Sequence, residues 1–193
     1  MKFPAEALVP KGGQIYCHIF ENRLARSLSW SITVEFEPLR YGDEGFSCSM
    51  TCEWIRWPVR NWRELDGRRL EGEEGIESTF YMTEHDTGRH TELLLRRSRA
   101  NIFTVKMDML VDFHGHYGGD GNPAMAVHAE VDVPFVGLLI IRDKPATPAE
   151  LQEIAAEFVD LSAYEAPEPW RQHGFIFRPL VAEAERAVQK GQE

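Results

Sequence analysis

The sequence predicts an α+β fold. Antiparallel β-hairpins make up most of it, in a single twisted sheet or a two-sheet sandwich, with one or two C-terminal helices. Two patterns carry that expectation. Apolar and polar residues alternate through four long segments of the first 142 residues, strictly in the first, and a strand with one buried face has this period of two. After Thr147 the period lengthens to that of a helix. No linker separates the two parts, so the 193 residues read as one domain. Within it, a β body covers 14–142 and a helical segment, 147–190, packs on that body.

The alternating segments come in pairs. Leu28, Trp30, Ile32, Val34 and Phe36 alternate with Ser29, Ser31, Thr33 and Glu35. After a turn at Tyr41-Gly42-Asp43, Phe46, Cys48, Met50, Cys52 and Trp54 alternate with Ser47, Ser49, Thr51 and Glu53. These runs form a first hairpin. The second joins Phe103–Phe113 to Met125–Phe135 across a glycine-rich connection with Gly118, Gly119 and Gly121, and Pro134 marks a strand end or an edge. The shared pattern makes a hairpin duplication plausible. Shorter strands are expected over 14–20, 76–83 and 91–97, with a turn at Gly88 between the last two, and over Phe175-Ile176-Phe177. Asn61 to Leu65 reads as a helical turn ended by Gly67.

The helices have their own signals. Thr147-Pro148-Ala149-Glu150 carries an N-cap threonine, a proline in the first turn and a glutamate that closes a capping box. Leu151, Ile154, Ala155, Phe158 and Val159 then recur at helical spacing. A terminal helix is expected over 180–189.

Composition narrows the function classes. Hydrophobic residues make up 43% and charged residues 27%, which excludes a disordered chain. Acids outnumber bases 31 to 21, the opposite of a nucleic-acid footprint. Half of that excess falls in residues 145–193, with nine acids against four bases. No segment has the length and apolarity of a membrane helix, and the first residues lack a signal-peptide core. Cys17, Cys48 and Cys52 are an odd set, read as reduced, buried thiols of a cytoplasmic protein.

Three clusters are candidate sites. Asp112, His114 and His116 alternate and so share a strand face, and His128 is expected opposite Asp112 across the hairpin. Imidazole and carboxylate together are ligand chemistry for a divalent transition metal such as Zn²⁺, Fe²⁺ or Mn²⁺. His114-x-His116 followed by Asp120 resembles the first metal motif of the cupins, although Asp108 stands where that motif has glycine. The second cluster holds Trp57, Trp62, Arg56, Arg60 and Arg63, residue types that anchor protein interfaces or close the rim of a core. The third is the Ser/Thr/Glu face of the first hairpin, a docking surface or simply its solvated side.

Two function classes follow. One is a non-enzymatic, acidic protein-binding protein, such as an immunity (antidote) protein or a small adaptor. Its acidic face would attract a basic partner, with Glu150, Glu153 and Glu157 of the first helix as the expected contact. The other is a metal-dependent enzyme or small-ligand binder built on Asp112, His114, His116 and His128. No Gly-x-Ser-x-Gly elbow supports nucleophilic catalysis. An edge strand could also pair with a second copy and make a homo-oligomer.

Overall fold

A computed structural model describes residues 5–21, 26–41, 44–71, 75–113, 124–142, 144–171 and 174–182. Its strands are β1 Pro10–Phe20, β2 Leu28–Phe36, β3 Leu39–Tyr41, β4 Glu44–Phe46, β5 Ser49–Ile55, β6 Arg69–Glu71, β7 Glu77–Tyr81, β8 His85–Arg99, β9 Ile102–Asp112, β10 Met125–Ile141, β11 Glu168–Trp170 and β12 Gly174–Phe177. The α-helix among the described residues is α1, Pro148–Ala156.

The alternating segments become strands as expected, but the sheet neither stays open nor splits into a sandwich. The strands run in the order β1, β2, β5, β7, β8, β9, β10, and β10 then pairs back onto β1. The result is a closed seven-stranded barrel. Six of the neighbouring pairs are antiparallel, and the closing pair, Tyr16–Phe20 against Gly137–Ile141, is parallel. Parity requires this, because strands that alternate in direction cannot close an odd-numbered ring without one parallel neighbour.

The fold is therefore mostly β, and the α+β expectation is corrected. The C-terminal segment contributes α1 and also strands β11 and β12. Leu180 to Ala182 are not helical, and the remainder of the expected terminal helix lies outside the described residues. The capping box forms as the sequence implies: the Thr147 hydroxyl accepts from the Glu150 amide, and the Glu150 carboxylate accepts from the Thr147 amide at 2.7 Å.

Closure depends on the length of β10. Its first half pairs with β9, from Met125 opposite Val111 to Pro134 opposite Ile102. Its second half lies between β1 and β12. Pro134 falls at the handover, where a missing N–H costs little. Directly beyond it the register with β1 shifts by one residue between Phe135 and Gly137. Gly137 has φ of 147°, and a Cβ there would collide with the Phe177 carbonyl of β12. Glycine at this bulge lets β12 lie against β10.

The turn expected at Gly88 falls earlier, at Met82 to Glu84, and Gly88 lies within β8. Its function is close approach: a side chain there would occupy the space of the Met109 thioether.

Side chains fill the barrel. Ile15, Cys17, Ile19, Trp30, Ile32, Val34, Met50, Cys52, Phe80, Leu95, Phe103, Val105, Phe135, Leu138 and Ile140 are all fully buried. One end is plugged by the turn Trp62–Leu65 together with α1 and the turn after it. Trp62 is fully buried, stacks on Phe135 with centroids 6.0 Å apart, and meets Phe103 edge-on at 6.4 Å. Its indole N–H donates to the Ala163 carbonyl at 2.8 Å. Trp62 thus ties the plug to the barrel wall. Replacing it with alanine should destabilise the protein by about 3–5 kcal/mol in urea unfolding, the usual cost of a large buried aromatic. A loss below about 1 kcal/mol would show that the plug is held by other contacts.

Candidate functional site

The tryptophan and arginine cluster and the acidic helix, far apart in sequence, form a single structure at the plugged end. Trp57 is buried against Trp30, with ring centroids 6.5 Å apart, and donates to the Arg69 carbonyl. Arg60 donates to the Ala156 carbonyl at 2.9 Å and Arg63 to the Leu180 carbonyl at 2.8 Å. The guanidiniums of Arg63 and Arg97 lie 4.3 and 5.2 Å from the Trp62 ring centroid. Trp57 and Trp62 are therefore core residues. The arginines at 60 and 63 satisfy carbonyls that the C-terminal segment would otherwise leave open. Arg56 is exposed.

The three helix glutamates are all exposed, as expected, but two are already engaged. Glu150 belongs to the capping box, which holds its carboxyl below the usual range through bonds from the Thr147 amide and hydroxyl. Glu157 pairs with Arg26 at 3.3 Å. Glu153 completes the stripe.

Of the four candidate metal ligands, Asp112 and His128 are not opposite each other as the expected hairpin register implied. His114 and His116 lie outside the described residues. Of the other two, His128 is opposite Asp108, and its Nδ1 lies 2.5 Å from the Asp108 carboxylate. Asp112 is opposite Thr87 of β8 and is paired with Arg89. The pairing of Val111 with Met125 moves Asp112 beyond the start of β10, four residues along β9 from the partner of His128. Among the described residues no group of three or more His, Cys, Asp or Glu side chains is arranged to hold a metal ion. The three thiols are free and buried. Burial pushes Cys17 and Cys48 above the ordinary thiol range and Cys52 up to about 11, so none is an available nucleophile at neutral pH.

Beside the His128–Asp108 pair, a shallow groove of about 140 Å³ is lined by Arg69, Leu70, Glu92, Leu93, Leu94, Lys106 and Asp108. Its polar walls carry both signs of charge and face outward.

The outer face of β2, β5 and β7 is more uniform. Register places Thr33, Thr51 and Thr79 side by side, with the Thr33 and Thr51 hydroxyls 3.3 Å apart. On one side run Glu35, Ser49 and Tyr81, and on the other Glu53 and Glu77, with the Ser31 hydroxyl donating to Glu53 at 3.3 Å. The solvated face expected for the first hairpin thus continues onto β7. Ser29 and Ser31, expected to be wet, are buried at 2% and 8% exposure.

Trp54 departs from the alternation in the opposite sense. The alternation assigns it to the core, but β5 carries a bulge: Cys52 pairs with Ile32, whereas Ile55 pairs with Trp30. The extra residue returns Ile55 to the core and leaves Trp54 outside, at φ of 63°. Its ring lies 5.7 Å from His18 and 5.3 Å from Phe20, and its N–H donates to Glu77 at 3.3 Å. Strand alternation gives no warning of a bulge, so the sequence hides this external indole.

Comparison of the chain with protein-family models, curated proteins and solved structures finds no match.

A non-glycine residue in the left-handed region costs of order 1–3 kcal/mol. Trp54→Ala and Trp54→Gly both remove the ring contacts, but only glycine relieves the backbone. The glycine variant should be more stable than the alanine variant by about 1 kcal/mol in chemical denaturation. Equal stabilities would place Trp54 in an unstrained conformation.

Proposed function

We propose that this chain is a non-enzymatic, acidic protein-binding protein of the cytoplasm, an antidote or small adaptor by class, that works through its outer surface. The packed lumen carries this reading. Barrels that transport small ligands keep interior space for them, whereas here bulky side chains fill the barrel from Phe36 and Phe80 at one end to Trp30, Phe103 and Phe135 towards the other. The described exterior offers polar and charged strand faces and a shallow groove.

The net charge of −10 favours a basic partner, whose capture it would accelerate at low ionic strength. Three reduced, buried thiols suit a reducing compartment.

The test is gentle co-purification of the tagged full chain from its native host, followed by a rising salt wash. A protein partner should be recovered in near-stoichiometric amount and released as salt screens the contact. A chain recovered alone at low salt would overturn the reading.

A further inference from the structure

We infer that the outer face of β2, β5 and β7 is the docking face, and that its occupant is a basic protein segment presenting lysine or arginine side chains. The inference deepens the function proposed above and rests on it. Its basis is the grid of outward residues that the strand register creates: Glu35, Ser49 and Tyr81; Thr33, Thr51 and Thr79; and Glu53 and Glu77, with the buried Ser31 donating to Glu53 at 3.3 Å.

Three properties of the grid point to that occupant. The first is charge. The grid holds three carboxylates and no lysine or arginine, while the groove around β8 and β9 mixes Arg69 and Lys106 with Glu92 and Asp108. Glu53 and Glu77 are directly opposite each other, a like-charge pair that costs stability in the free protein. A cation placed between them would relieve that repulsion. Among the described residues, Arg171 and Arg178 lie at the flank, where they act on Tyr16 of β1.

The second property is stiffness. The middle row is entirely threonine, and a β-branched side chain on a strand has little rotamer freedom to lose on docking. Its hydroxyls can donate or accept, so they can satisfy the polar backbone of a partner.

The third is the aromatic border. Tyr81 is 38% exposed beside His85, with ring centroids 5.0 Å apart, and Trp54 lies half-buried at the opposite corner against Glu77. Aromatic residues at a polar patch are the usual anchors of an interface. A second copy of this chain is disfavoured, because two such faces would bring six carboxylates together.

The experiment is a ¹⁵N chemical-shift titration of the full chain at low salt with a short lysine- and arginine-rich peptide. It is repeated on Glu35→Gln/Glu53→Gln/Glu77→Gln, which keeps side-chain size and acceptor oxygens, and on Glu153→Gln/Glu157→Gln on α1. The largest shifts should fall at Thr33, Thr51, Thr79 and their neighbours. The grid variant should bind the peptide roughly tenfold more weakly, with the α1 variant nearly unchanged. Shifts centred on α1 or the β8–β9 groove, or equal weakening by both variants, would overturn the assignment of the face. An absence of shifts anywhere would overturn it too. If co-purification still recovers a partner, the protein-binding function survives and only the face is wrong. A chain that also purifies alone loses both.

Discussion

Every other feature of this molecule depends on the ring closure between β1 and β10. Seven strands connected by reversing turns leave the first and last pointing the same way, so the ring closes only through a parallel pair. A parallel ladder is slightly less stable than an antiparallel one. In exchange, closure removes the two long edges that an open sheet of these strands would expose. The edge that remains beside β12 is β11, three residues long and containing Pro169, which blunts further pairing.

Closure also decides where function can lie. Inward side chains of seven strands converge on one narrow lumen, and this sequence supplies large ones. Phe103 and Phe135 meet the plug residue Trp62, Trp30 packs on Phe135, and the interior is left as core. Arg60 and Arg63, which flank Trp62 in sequence, then serve structure by donating to the carbonyls of Ala156 and Leu180. Chemistry and recognition are left to the outside, where strand register groups polar residues by rows. Asp108 meets His128 in one row, and three threonines meet in another.

The local elements could be read from the sequence because local rules govern them. Alternation located β2, β5, β9 and β10, and the Thr147–Glu150 box located α1. The ring could not be read, because inward alternation looks the same in a sheet, a sandwich and a barrel. Alternation assigns Trp54 to the core, where a bulge turns it outward, and the glycine signal reads Gly88 as a turn, whereas it lies inside β8 and makes room for Met109. The register of the β9–β10 hairpin was misread as well. A glycine-rich connection specifies no single turn, so alternation alone cannot choose between Asp108 and Asp112 as the partner of His128. The threonine row is visible in β2 and β5 alone, and it gains β7 only through sheet order.

Residue-resolved amide hydrogen exchange on β1 tests the closed barrel most directly. In a ring, both edges of β1 are paired, with β2 on one side and β10 on the other. The amides from Tyr16 to Phe20 should then all exchange slowly, with protection approaching that of the central strands. If β1 were the edge of an open sheet, its amides would alternate, slow where they bond to β2 and fast where they face water. Uniform protection is the result the closed barrel requires, and an alternating pattern would contradict it.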